Sequence, residues 1–334
     1  MSENNDWLKA ITVDCKSAKR FVRELDELHT RWGDSKWIFR GQNSDAEDWK
    51  LHPSAMRNTM ITDFVNEHFE YWYDRNHLDD PNRSNWENKS DEAFQRHIEI
   101  ALHVTVEVCL VWTFETLADE VGLPVPEVRS SSWEGVYGWS THDTMKFLLN
   151  FHSGAFSPER ISHYPGKTVY GFAQHHGIPT RLLDWTFKPL VAAFFAAYAK
   201  IPAGAQPDRV VVWAIKLDDL KTTSLDLVRH LYGNMAFPYA QAGVWLYDGK
   251  ADDKYYEFGA YQPFENELAK IPDSGVYKLT LPYSKKDDLL KLLLRKGVFK
   301  SSLMPFLDNV AEDIMNKAID WQEYQRKIIY HRVL

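Results

Sequence analysis

The stretch QHHGIPTRLLDWT over residues 174–186, followed by PLVAAFFAAY over residues 189–198, decides the fold of this chain. A helical pattern runs from about 167 to 176 and is ended by Gly177 and Pro179. The short apolar segment at 182–185 predicts a buried strand, and residues 189–198 predict a helix that is apolar on every side. Because such a helix belongs inside a protein, we expect a helix–turn–strand–helix unit at the centre of the fold.

Away from this unit, helical and strand patterns separate along the chain. Apolar spacing predicts helices over about 15–30, 57–78, 91–121, 142–152, 285–296 and 305–317. β-Branched and aromatic composition predicts strands at 37–40, 209–217, 243–247 and 275–281. Since strands cluster after residue 180 instead of alternating with helices, the predicted fold class is α+β with a mixed or antiparallel central sheet.

The chain shows no repeat and no clean linker, so we expect one elaborated domain over residues 1–334, with two domains as the alternative. Its core would comprise residues 37–57 and 160–313, with a large helical insertion over about 58–155 and a helical tail over 314–334. Polar, proline-bearing stretches at 77–90 and 123–141 predict loops.

The composition excludes several classes of protein. Hydrophobic residues make up 44% and charged residues 26% of the 334, which is typical of a globular protein. A formal net charge of −8 disfavours binding to nucleic acid or an anionic membrane through the overall charge of the protein. A local basic groove is still an alternative. Two cysteines cannot form a disulfide scaffold. Without an evident signal peptide or an apolar run of about 18 residues, we expect a cytoplasmic protein with no membrane partner.

Arg40 is the first candidate for chemistry, because it ends a predicted strand and precedes Gly41. A guanidinium at a sheet rim is suited to a phosphate or carboxylate, and a glycine lets a ligand or another backbone approach closely. The alternative is a buried ion pair, for which Asp184 is the candidate partner.

The segment 174–186 is the second candidate, because its bend lets an amide, two imidazoles, a guanidinium, a carboxylate and a hydroxyl converge. A carboxylate at Asp184, between apolar residues, needs a cation or hydrogen-bond donors. A network of Arg40, Asp184 and Arg181 would therefore be either a structural ion network in the core or the base of an anion-binding site. His175 and His176 could act as general acid or base, or else cap the helix or pack as rings.

Other chemistries lack their motifs. Adjacent histidines on one helix point about 100° apart and do not easily chelate one ion, so no metal is expected. The nucleophile elbow GxSxG, the dinucleotide motif GxGxxG and the P-loop do not occur.

Three motifs in order resemble the FRG-domain family, named for Phe-Arg-Gly. They are Phe39-Arg40-Gly41-Gln42 followed by Leu51-His52-Pro53-Ser54 and Arg57; the segment 174–186 with the helix after it; and Leu303-Met304-Pro305-Phe306-Leu307-Asp308. The resemblance spans about 37 to 313. It suits bacterial toxin or phage-defence settings.

A remote similarity links the same motifs to ADP-ribosyltransferases of the Arg–Ser–Glu type. That similarity implies that Arg40 holds an NAD phosphate and that the Asp184–Thr186 strand replaces the serine motif, with Asp184 in place of the first serine. The third element would be Gln241, or Glu265 and Glu267, where a glutamate would stabilise oxocarbenium character as nicotinamide leaves. The Ser-Thr-Ser motif is missing, and prolines flank the two glutamates, so a solvated loop is the alternative there.

The predicted function is nucleotide binding, with NAD as first ligand and substrate, in an ADP-ribosyltransferase-like or NAD-cleaving enzyme. The acceptor, whether protein, nucleic acid or water, and the oligomeric state stay open. The alternatives are a module that senses a nucleotide or phosphate without turnover and a protein-interaction module. The predicted catalytic residues are Glu267, Gln241 and His176. The predicted ligand-binding residues are Arg40, Gly41, Gln42, His175, Arg181, Asp184 and Thr186.

Overall fold

The computed structural model describes eight stretches of the chain, at residues 10–30, 36–46, 50–79, 91–125, 167–199, 207–229, 236–272 and 275–315. The predicted helix near 142–152 lies outside these residues, as do most of the predicted loops at 77–90 and 123–141 and the tail beyond 315.

A seven-stranded sheet organises the described residues. Its strands are β1 (Ile11–Asp14), β2 (Trp37–Gln42), β3 (Leu183–Thr186), β4 (Arg209–Lys216), β5 (Leu225–Val228), β6 (Gly243–Asp248) and β7 (Val276–Pro282). Their order in the sheet is β1-β7-β4-β2-β3-β6-β5. The β1–β7 pair is parallel and the other pairs are antiparallel, which confirms the predicted α+β class with a mixed sheet.

The helices of the described residues precede, connect and follow these strands. They are α1 (Ala18–Thr30), α2 (Thr59–Asp79), α3 (Asp91–Glu120), α4 (Lys167–His175), α5 (Pro189–Tyr198), α6 (Ala236–Gln241), α7 (Ala251–Phe258), α8 (Glu265–Leu268), α9 (Lys286–Arg295), α10 (Lys300–Leu303) and α11 (Leu307–Met315). The last helix begins at Leu307, two residues after the proline at which we expected it to start.

One face of the sheet, here called the α5 face, is covered by α1, α5 and α9. Apolar side chains of α1 recur at three- and four-residue steps and pack there with those of α5, together with Phe39, Val212 and Leu279 from the sheet. Most of α5 is buried around its whole circumference, as its composition predicts. This layer places β2 and β3 at the centre of the fold.

The opposite face, here called the Leu51 face, packs against two connecting segments. Leu51, which is fully buried, joins Phe264 and Leu268 over Ile38, Trp185 and other sheet residues. The polar loop that carries Leu51 is thereby held against the middle of the sheet.

The 30-residue helix α3 contacts α2, α4 and α7. The part Glu92–Glu120 is long and apolar enough to cross a membrane by length and composition alone, and half of its most apolar window is buried inside the protein. Because Glu107 of this helix is buried in an ion network with residues of two other elements, we interpret α3 as a core helix.

Some elements have no counterpart among the predictions. β1 and β5 are four residues long, and α7 and α8 lie in a polar region, so neither type carries a periodic signal of useful length. The alternative of a solvated loop at Glu265 and Glu267 is wrong, because both residues are buried in α8.

Candidate functional site

Arg40 lies where β2 and β3 separate. The two strands pair at Phe39 and Thr186, and the Arg40 guanidinium spans the gap beyond that pair by donating from Nη1 to the main-chain oxygen of Asp184 at 2.7 Å. The predicted contact between Arg40 and Asp184 therefore exists, but it goes to the carbonyl and not to the carboxylate.

Gly41 serves the packing of the sheet. A Cβ there would lie 2.0 Å from the Ala192 oxygen and 2.7 Å from the Ala196 nitrogen, both on α5. Of the two predicted possibilities, ligand or backbone, the close approach at Gly41 is made by the backbone of α5.

A loop over residues 50–57, here called the His52 loop, docks beside Arg40 on the Leu51 face. The Ala55 amide donates to the Thr180 oxygen at 3.0 Å, and the Ser54 hydroxyl accepts from the Thr180 amide at 3.0 Å. This contact joins two of the sequence motifs, 51–57 and 174–186, across 126 residues of chain.

Three side-chain nitrogens on this face are buried without a hydrogen-bond partner among the described residues. They are Nε of Arg40, Nδ1 of His52 and Nε1 of Trp185. Because Phe39 pairs with Thr186, Arg40 and Trp185 are the next neighbours on the two strands and leave the sheet on the same face. Together with the exposed Arg57, these residues form what we call the Arg40 cluster.

Burial and nearby charges shift the pKa values of Arg40 and His52. Burial lowers the pKa of Arg40. The negative charges of Asp184 and Glu265 oppose that shift, whereas the positive charge of Arg57 adds to it. Burial likewise lowers the pKa of His52, and Arg57 and Lys50 lower it further. An arginine stays charged at neutral pH whereas this histidine is neutral, so the two arginines carry the positive charge.

Asp184 leaves β3 on the face of the sheet opposite to Trp185, because neighbouring residues of a strand alternate between faces. Its Oδ1 accepts from Trp245 Nε1 at 3.0 Å across the β3–β6 pair, and its side chain is exposed. Burial lowers the pKa of the half-buried His175, and the nearby Asp184 carboxylate opposes the shift. His176 is exposed and its ring packs near Phe114 and Phe172.

A family model matches part of this region. Residues 128–203 match the model of the FRG domain. The chain contains an FRG domain. Of the matched residues, the structure describes 167–199, which hold α4, β3 and α5, whereas Arg40 and the His52 loop lie outside the match. No curated protein and no solved structure matches the chain.

Within the FRG domain, Arg181 does not join Arg40 and Asp184. Its Nε donates to Glu107 at 2.7 Å and its Nη1 to Asp252 at 3.1 Å, and all three side chains are buried. Burial lowers the pKa of Arg181, but the two carboxylates outweigh that effect and raise it well above its ordinary value. The predicted network of three residues is thus wrong at Arg181, since these closer partners come from α3 and α7.

Three further predicted residues make structural contacts. The Thr186 hydroxyl donates to the main-chain oxygen of Gln241 at 2.5 Å. The side-chain amide of Gln241 donates to the main-chain oxygen of Leu303 at 3.2 Å. Gln42 lies on β2, and its Oε1 accepts from Trp213 Nε1 at 2.7 Å. None of these contacts requires a ligand, so a role in binding or catalysis stays a prediction for each residue.

Glu267 lies in a second buried ion network. It accepts from Lys254 and Lys270 at 2.6 Å and from the Ser224 amide at 2.8 Å. Burial would raise its pKa, but the hydrogen bonds from both lysines lower it to about 2. A catalytic role for this residue stays a prediction, and its contacts make it an ionised structural carboxylate.

The described residues contain no group of three histidine, cysteine or acidic side chains able to hold a metal ion. This finding concerns only that part of the chain.

Sequence reasoning did not propose His52, Arg57, Trp185 or Glu265 as members of an anion site around Arg40. The signal for the first two was their place in the motif 51–57, which was used for the family resemblance and not for its chemistry. A missing hydrogen-bond partner, by contrast, is a property of the folded chain alone.

Proposed function

We propose that this chain binds a phosphate-bearing nucleotide at the Arg40 cluster, which adjoins its FRG domain, with NAD as the first candidate. The observation that carries the proposal is that two buried nitrogens, Arg40 Nε and His52 Nδ1, lack hydrogen-bond partners among the described residues. A buried donor without an acceptor costs about 1–3 kcal/mol, and a bound phosphate oxygen would remove that cost.

The charges of the cluster favour a phosphate in particular. Arg40 and Arg57 supply two guanidinium groups, which bind phosphate oxygens through paired N–H donors. The main chain of Asp184 already orients Arg40 from one side, so its remaining donors are held in a defined direction. A nucleotide with two phosphates would satisfy both arginines and His52.

The direct test is calorimetric titration with pyrophosphate, ADP and NAD. Arg57→Ala is the informative variant, because Arg57 is exposed and its removal should leave the melting temperature unchanged. We expect it to weaken binding about tenfold, since a hydrogen bond to a charged group is worth about 1.5–3 kcal/mol.

Arg23→Ala is the matched control, because Arg23 is 65% exposed on α1 and its ion pairs with described residues lie within its own helix. Its affinity should equal that of the wild type. Absence of binding by the wild type, or equal losses in Arg57→Ala and Arg23→Ala, would contradict the proposal.

The finer proposal is that NAD is a substrate, as the similarity to ADP-ribosyltransferases implies, with a protein, a nucleic acid or water as acceptor in the cytoplasm. Release of free nicotinamide from NAD tests it. Cleavage should be lost in Arg40→Gln, and in Glu267→Gln or Gln241→Ala if either residue supplies the third element. Release that persists in both of the last two variants would reject that assignment.

Binding without turnover is the second candidate, and the contacts of Glu267 favour it. With two lysines and a main-chain amide on its carboxylate, Glu267 has few acceptor positions left for a ribose hydroxyl. NAD binding by calorimetry together with no nicotinamide release would support a sensing module.

A further inference from the structure

We infer that Glu265 is a positioning residue for the Arg40 cluster, because its buried carboxylate holds the His52 loop against the sheet. The inference rests on the proposed function of that cluster, and it concerns a residue that contacts the main chain of the loop.

The first support is the way in which α8 holds Leu51. Both carboxylate oxygens of Glu265 accept from the Leu51 amide, each at 2.9 Å. The Phe264 amide donates to the Leu51 oxygen at 3.1 Å. Both main-chain polar groups of Leu51 are therefore held by adjacent residues of one segment, directly before His52 in the chain.

The second support is the anchor on the other side of His52. Ser54 and Ala55 bond to the main chain of Thr180 in the FRG domain. With Leu51 held on one side and Ser54 on the other, His52 has little freedom to move relative to Arg40. Loss of the Leu51 anchor would free one end of the loop while the other stays attached.

The third support is the difference between Glu265 and Glu267, which lie two residues apart and are both buried. Glu267 binds two lysines, whereas Glu265 forms no ion pair with a described residue and has Leu51 as its hydrogen-bond donor from outside its own helix. Burial raises the pKa of Glu265, and the amides of Leu51 and Glu265 itself oppose the shift. The charges of Lys50 and Lys278 also oppose the shift, but the hydrogen bonds of the carboxylate go to the main chain, so the loop is its principal partner.

The test compares three variants in full-length protein, with pyrophosphate as the probe. Glu265→Ala removes the acceptor and should weaken pyrophosphate binding about tenfold. Glu265→Gln keeps an acceptor oxygen and should restore affinity to within about threefold of the wild type. Asn266→Ala, the matched control on the same helix, removes a side-chain hydrogen bond to Gln262 and should leave the dissociation constant unchanged.

A second measurement needs no ligand. Amide hydrogen exchange over residues 50–57 should accelerate in Glu265→Ala and stay at the wild-type rate in Asn266→Ala. Unchanged exchange in Glu265→Ala, or equal losses of affinity in Glu265→Ala and Asn266→Ala, would overturn the inference. If the wild type binds no pyrophosphate but exchange responds as expected, the proposed function fails while the anchoring of the loop stands.

Discussion

Arg40 lies on β2 and Arg181 lies just before the neighbouring strand β3, yet the two arginines have opposite surroundings. Arg181 is 4% exposed and is bonded to two buried carboxylates, so its charge is compensated inside the protein. Arg40 donates to a carbonyl, forms no ion pair with a described residue and keeps a buried nitrogen without a partner. A buried arginine nitrogen without a hydrogen-bond partner, more than the motif in which the arginine lies, therefore marks a candidate for ligand binding.

The largest expected effect comes from Arg181. Arg181→Met should reduce the free energy of unfolding by about 3–5 kcal/mol, because Glu107 and Asp252 would stay buried without their cation. Urea unfolding followed by circular dichroism measures this loss. A loss below about 1 kcal/mol would mean that Arg181 is no more structural than Arg40, and the comparison would break.

A smaller effect is expected at Gly41, next to Arg40. Gly41→Ala should cost about 1–3 kcal/mol of stability, since its Cβ would meet the α5 backbone at Ala192 and Ala196. Gly249→Ala is the control, because the nearest atom to its Cβ is 3.5 Å away on the flexible Asp226 side chain. Equal stability of the two variants would show that α5 moves to accommodate the added Cβ, and a ligand contact at Gly41 would again be possible.

The smallest effect concerns the pH dependence of binding. His52 is neutral in the free protein, because burial, Arg57 and Lys50 lower its pKa below the usual value. A bound anion favours the protonated ring, so binding takes up a proton and affinity should rise as pH falls from 8 to 6.

His52→Asn keeps a donor near the position of Nδ1 but does not titrate, so it isolates this contribution. Between pH 8 and pH 6, we expect the ADP affinity of the wild type to rise by a factor on the order of threefold larger than that of this variant. The ionisation of ADP itself cancels in the comparison. An identical pH profile in both proteins would remove His52 from the anion site.

Local patterns predicted the long elements of the fold. The spacing of Phe21, Val22, Leu25 and Leu28 predicted α1, and the composition of 189–198 predicted the buried helix α5. The edge strand β1 was missed, because four residues carry little periodicity and its partner β7 lies more than 260 residues away.

Sequence patterns predicted Arg40, the central residue of the candidate site, but not the partners that surround the candidate residues. Arg40 could be proposed from its place before a glycine at a strand end. The counter-ions of Arg181 could not be proposed from the sequence, because Glu107 and Asp252 are more than 70 residues away along the chain. Only packing brings α3 and α7 next to Arg181. Asp184, three residues from Arg181 in the chain, was the nearer but incorrect partner.

The amino-acid order alone determined which segments become helix or strand, where glycines and prolines end them, and which polar side chains are available for chemistry. These properties depend on neighbours within a few residues, so they can be read along the chain. Only the tertiary structure decided which of those side chains have partners. Hydrogen bonds and ion pairs form between atoms a few ångströms apart, and folding alone sets which distant residues meet at that distance.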